Sequence, residues 1–99
     1  MELDKIYYNH KLKLDKQYFM DVANSRKTFE VRYNDRNYKH NDLICFCEYD
    51  PINNQYTGQY FIAQISYLLL NRKYLQKGYI AFALLVKSCI EYNEHITIV

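Results

Sequence analysis

Between residues 7 and 14 apolar and charged side chains alternate. Leu12 and Leu14 fall on one side and Lys11 and Lys13 on the other, the two-residue period of a half-buried strand. Asp15 follows and suits a helix N-cap. Over residues 16–25, Tyr18, Phe19, Val22 and Ala23 recur at helical spacing, predicting one helix that ends at Asn24-Ser25. Residues 27–33 alternate again, with Phe29, Val31 and Tyr33 on one face and Thr28, Glu30 and Arg32 on the other. Asn34-Asp35-Arg36-Asn37 has turn chemistry. The apolar run at 43–49 predicts a strand, Asp50-Pro51 with Asn53-Asn54 a turn, and Thr57-Gly58 a second turn. Residues 60–70 are rich in β-formers and should return antiparallel to the 43–49 strand. A polar connection at 71–78 leads to a core strand at 79–86, and residues 96–99 have the alternation of a short edge strand. One helix with five or six mostly antiparallel strands is an α+β architecture built on a curled sheet.

Composition narrows this without changing it. Ninety-nine residues make one domain, 1–99, and a chain of this size buries roughly two-thirds of its unfolded surface. With 49 % hydrophobic and 24 % charged residues the chain is far from the signature of disorder. No apolar run approaches the ~18 residues of a membrane span. Three cysteines cannot all pair with one another, and the N-terminus lacks a signal-peptide pattern, which implies a reducing, cytoplasmic setting with no membrane partner. A net charge of +2 is too small to identify a nucleic-acid partner by itself.

The chemistry-bearing positions are few. Thr28, Glu30 and Arg32 form a polar strand face on which Glu30 and Arg32 can pair. It reads either as a solvated outer face or as the lining of a cleft. Lys27, where helix gives way to strand, is an exposed lysine, a phosphate ligand or, if desolvated, a chemically active amine. His10 on the first strand can be a base, a phosphate donor or a packed histidine, with the packed role the simplest. Cys45-x-Cys47 is too closely spaced for a zinc site, so Cys45, Cys47 and Cys89 read as buried small hydrophobes and no metal or other cofactor is expected. Only Gly58 and Gly78 exist, so phosphate-binding glycine loops and dinucleotide folds are excluded. Tyr33, Arg36, Tyr38 and Lys39 interleave rings with cations, a combination that suits bases and phosphates.

Several segments, taken in order, are informative together. His10-Lys11-Leu12-Lys13 is followed by a helix with Tyr18-Phe19, then Lys27-Thr28-Phe29-Glu30-Val31-Arg32, Asn34-Asp35-Arg36 and Asp42-Leu43-Ile44. Glu48-Tyr49-Asp50-Pro51, Tyr56-Thr57-Gly58 and Gly78-Tyr79-Ile80 complete the series. Over about residues 8–87 the chain resembles the small ASCH-like domains of the PUA-like superfamily, in a branch found in bacteria and their phages. The resemblance implies a small curled β-barrel with the helix near its opening, and a cleft for RNA or a nucleotide at the helix-to-strand junction. It would put Lys27, Thr28, Glu30 and Arg32 at that cleft, with Asp35 and Arg36 bracing it and Tyr33, Glu48 and Tyr49 as weaker candidates. His10 and Lys13 on the first strand join the ligand-binding set. The family usually carries glycine where Ser25 and Asn41 stand, so both positions are expected at turns.

Three functions compete. A module binding RNA or another nucleic acid would use Lys27, Arg32 and Arg36 on phosphate, Glu30 to orient Arg32, and an aromatic to stack. Some bacterial ASCH proteins are amidohydrolases acting on acylated cytidine. Their lysine matches Lys27, but Glu30 stands where they use threonine, leaving Glu30 or Glu48 as the general base. The third is capture of a small nucleotide, or a protein-partner role between phage and host.

Overall fold

In the computed structural model, which describes residues 7–96, the first alternation becomes strand β1, His10–Asp15, with Leu12 and Leu14 buried and Lys13 exposed. Asp15 ends the strand and starts the helix, its carboxylate accepting from the Gln17 N–H at 2.9 Å. Helix α1, Lys16–Ala23, buries Phe19 and Val22. Its C-terminus is wound tightly. Ser25 takes a φ of 59°, and the N–H groups of Arg26 and Lys27 both donate to the Asp21 carbonyl, at 2.8 and 2.9 Å. That wrap turns the chain straight into β2, Phe29–Tyr33. Three longer strands follow, β3 (Leu43–Asp50), β4 (Gln55–Leu69) and β5 (Tyr79–Val86), then the two-residue β6 (Glu91–Tyr92).

The strands form one mixed sheet in the order β1-β3-β4-β5-β2, with β6 attached to β4. β1 runs parallel to β3 and the other pairings are antiparallel. β4 spans 15 residues and serves two neighbours: its first part pairs with β3 and its last part with β5. The register shifts between Cys47 and Tyr49 and again between Ile65 and Tyr67. Each irregularity sharpens the twist, so the sheet curls into a half-barrel whose two edges, β1 and β2, have no strand partner on their outer sides among the described residues. The small α+β barrel expected from the sequence is therefore present. Inside the curl, Phe61 packs on Phe19 and Phe46 at ring separations of 5.1 and 5.6 Å, seating the helix. A second cluster, Cys45, Cys47, Tyr60, Ile62 and Ile96, covers the opposite side of β3 and β4.

Three local expectations change, and a further one is left untested. Thr57-Gly58 is no turn: it lies inside β4, where Gly58 takes a φ of 96°. β6 packs so closely there that a Cβ on Gly58 would sit 2.5 Å from the Tyr92 ring. The expected edge strand at 96–99 falls largely outside the described residues, and Ile96 is a buried loop residue. Cys45 and Cys47 are buried, their sulfurs 3.8 Å apart, but Cys89 is exposed. The nearby Cys47 thiol and burial push Cys45 well above the ordinary thiol range, so it is held neutral. The third change concerns β2, whose apolar residues are exposed. Ser25 and Asn41, expected at turns, both adopt left-handed backbone, Asn41 at a φ of 70°. Among the described residues no helix is long and apolar enough to cross a membrane.

The β3–β4 turn is organised by one carboxylate. Asp50 accepts from the Ile52 and Asn53 N–H groups at 3.0 and 3.2 Å and from the Asn53 side chain at 2.8 Å. These bonds, led by the Asn53 side chain, hold its carboxyl below the ordinary value of 3.8. A lowered folded-state value means that the stabilisation is whole above the ordinary value and is lost as pH falls through the folded one. Thermal melts from pH 7 to pH 2.5 should show Asp50→Asn with a lower melting temperature at neutral pH and a shallower acid decline than the parent chain. Parallel acid limbs for the two proteins would refute the role given to Asp50.

Candidate functional site

The turn that closes α1 releases Lys27 beside the start of β2, and the two-residue period of β2 then carries Glu30 and Arg32 to the concave side of the sheet. Glu30 is 6 % exposed, while Phe29, Val31 and Tyr33 are 54 %, 52 % and 59 % exposed. The reading of Thr28, Glu30 and Arg32 as a solvated outer face is thus corrected for Glu30 and Arg32. β2 sits at the open edge of the half-barrel, where Glu30 and Arg32 turn into the cleft while Phe29 and Val31 stand exposed at its rim.

Glu30 is shared by two cations. Lys27 Nζ donates to Glu30 Oε1 at 2.5 Å and to the Phe29 carbonyl at 2.8 Å. Arg32 Nε donates to Glu30 Oε2 at 3.0 Å, and Arg32 Nη2 reaches across to the Lys13 carbonyl on β1 at 2.8 Å. A buried carboxylate with both oxygens bonded to cations satisfies the condition under which a charge tolerates burial. The aromatic surroundings add to it: Lys27 Nζ lies 4.9 Å from the Phe29 ring centre and 5.4 Å from that of Tyr18. Lys13 Nζ sits 4.2 Å over the Tyr49 ring.

These groups line a cleft of about 580 Å³ between the ends of β1 and β3, the helix and β2. Lys13, Lys27 and Arg32 supply three positive charges against Asp15 and Glu30, and Asp15 is occupied in capping the helix. Tyr18, Phe29 and Tyr49 provide ring surface. Of the residues expected at the site, Lys13, Lys27, Glu30, Arg32 and Tyr49 converge here. Tyr33, Asp35 and Arg36 line a neighbouring groove of about 300 Å³.

Three expected members lie elsewhere. Thr28 is exposed and lines no part of the cleft, and its carbonyl accepts from Leu84 N–H at 2.9 Å, extending the β2–β5 ladder. Glu48 is buried on β3, where its carboxylate accepts from Thr57 Oγ1 at 2.6 Å and Gln59 Nε2 at 3.1 Å. It is a structural tie between β3 and β4, away from Lys27. His10 has the packed role: its Nε2 pairs with Asp42 at 2.7 Å and its ring lies 4.7 Å from that of Tyr38. Tyr38 itself is core, 5 % exposed and packed on Phe82, and burial raises its hydroxyl pKa. It is therefore not a stacking residue. Tyr18, assigned by spacing to the helix core face, instead lines the cleft; its nearness to Lys27 through the turn was the available signal. Among the described residues no group of three or more His, Cys, Asp or Glu side chains is placed to hold a metal ion.

Residues 9–84 match the family described as a domain of unknown function (DUF3850), and the chain belongs to that family. No curated protein matches it.

The inverted strand makes a sharp contrast between neighbours. Glu30→Ala removes the acid between two partly buried cations and should cost about 1.5–3 kcal/mol of stability. Val31→Lys, on the exposed face, should stay within about 0.5 kcal/mol of the parent. Urea unfolding of both variants checks this, and the opposite ranking would show that Glu30 faces solvent.

Proposed function

We propose that this chain is an ASCH-like module of the PUA-like superfamily that binds single-stranded RNA, or a nucleotide unit of it, in the cleft between β1 and β2. The observation carrying the reading is the Lys27–Glu30–Arg32 cluster at the helix-to-strand junction of a curled half-barrel. Three cations against one buried acid and one helix cap favour an anionic ligand. The donor count agrees. Lys27 uses two of its three N–H donors internally and Arg32 two of its five, which leaves one and three for a ligand. In this reading Lys27, Arg32 and Lys13 hold phosphate, and Tyr18 or Tyr49 stacks on a base. Glu30 is a positioning residue, because both its oxygens are already engaged. A net charge of +2 suits a short single strand better than a long duplex.

One observation favours a second reading. The 2.5 Å Lys27–Glu30 contact places an amine and a carboxylate within proton-transfer reach beside an open cleft. That is the arrangement an amidohydrolase acting on acylated cytidine would need, with Lys27 as the acid–base group.

Thermal shift against nucleosides, uridine 5′-monophosphate, N4-acetylcytidine and short RNA, at low and high salt, separates the two. Binding predicts an RNA-dependent rise in melting temperature that salt weakens. Lys27→Ala and Arg32→Ala should each weaken RNA binding by at least tenfold, the loss of about one charged hydrogen bond. Chromatography showing N4-acetylcytidine converted to cytidine by the parent chain and not by Lys27→Ala would replace the binding reading with the hydrolase. Unchanged RNA affinity in both variants would remove the cleft from the binding reading, and no deacylation above the Lys27→Ala control would remove the hydrolase.

A further inference from the structure

The cleft does not stop at Arg32. It shares Val31 and Arg32 with the groove lined by Tyr33, Arg36 and Tyr79, and that groove shares Tyr33 and Tyr79 with a third depression. The third, of about 260 Å³, adds Asn34 and Arg72. The three therefore adjoin one another along β2, which is an edge strand. One cation or more belongs to each: Lys27 and Arg32 to the first, Arg36 to the second, Arg72 to the third. Among the described residues, Arg36 and Arg72 are exposed and make no ion pair.

The rings along this path are held in place. Tyr33 and Tyr79 are opposite one another in the β2–β5 register and meet edge-to-face, 5.6 Å between centres. Gly78 lies directly beneath Tyr33, so close that a Cβ there would be 2.6 Å from the ring. Exposed aromatic rings fixed by backbone, with unpaired arginines on either side, are what a stacking platform for nucleic-acid bases requires.

We infer that the single-stranded nucleic acid runs from the Lys27 cleft along β2 to Arg72, with a base stacked at Tyr33–Tyr79 and phosphates at Arg36 and Arg72. The inference rests on the binding reading above and extends it from one nucleotide to a strand. At roughly 3.3 Å per residue, the seven steps from Lys27 to Asn34 cover about 23 Å. That corresponds to a site of about four nucleotides, the lower end for small single-strand-binding barrels.

Fluorescence anisotropy with 5′-labelled oligouridylates of one to eight nucleotides, and competition by uridine 5′-monophosphate, tests this in the full chain. Affinity should climb with length to about four nucleotides and then level. Arg36→Ala/Arg72→Ala should weaken the tetranucleotide at least tenfold, leave uridine 5′-monophosphate unchanged, and lower the salt slope by about 1.4, two phosphates at ~0.7 each. Tyr33→Ala should cost about fivefold or more and Tyr33→Phe should restore it, since the ring and not the hydroxyl stacks. Tetranucleotide binding no tighter than the mononucleotide, or insensitive to all these variants, overturns the track and leaves the cleft reading standing. Failure of both ligands to bind removes the cleft reading and the track with it. Sedimentation showing a dimer that Tyr33→Ala dissociates and oligouridylate does not would assign the β2 edge to a second copy instead.

Discussion

A half-barrel has two open edges, and here one buried carboxylate governs how they meet. Glu30 fixes Lys27 on one side and Arg32 on the other. Arg32, so oriented, spans the gap to the Lys13 carbonyl on β1. The edges are thereby joined by a side chain and not by a strand ladder. Without the carboxylate, two cations would share a partly desolvated space, and like charges there repel strongly. With it, the cluster is satisfied, and no buried side-chain nitrogen or oxygen among the described residues lacks a partner.

This arrangement explains why β2 looks turned inside out. A strand inside a closed barrel would send its apolar face to the core. β2 lines an opening, so Glu30 and Arg32 turn into the cleft, while Phe29, Val31 and Tyr33 stay exposed, the first two at the cleft's rim. The core is completed elsewhere, by Phe19, Phe46 and Phe61 beneath the helix. The edge also keeps its backbone accessible, a liability that proteins manage with charges or covering elements. Here the inward-pointing Glu30 and Arg32 act as such charges, since a strand adding to this edge must pass the cluster.

Much of this was legible in the residue order. Alternation located β1 and β2, Asp15 marked the start of the helix, and the polar stretch before Tyr79 marked the last long connection. Alternation has a period but no sign: it shows that Glu30 and Phe29 face opposite ways without showing which way is in. Only the sheet order, which makes β2 an edge, decides that. Gly58 misled for a related reason, because a positive φ serves a close-packed irregularity inside a long strand as readily as a turn. β6 has two residues and no periodicity to read. At the site, proximity in sequence found Lys27, Glu30 and Arg32. Lys13 and Tyr49 were named through the family resemblance, and what brings them together is the parallel β1–β3 pairing, in which Lys13 stands opposite Cys47, two residues before Tyr49.

The same cluster bears on whether the cleft is built to bind or to react. A general base must have a free lone pair within reach of the substrate and must gain a proton as the reaction proceeds. Each Glu30 oxygen already accepts from a cation, so a proton taken up there would compete with the contacts that place Lys27 and Arg32. The cost of that step falls on the fold and not on the substrate alone. A binding site has the opposite requirement, charges that stay where they are when the ligand arrives, with donors to spare. Lys27 and Arg32 meet it, because their internal bonds set their positions and their remaining N–H groups are left for an anion. If catalysis does occur, Lys27 is the group to carry the proton, since it alone can rearrange without breaking the bridge between the two edges.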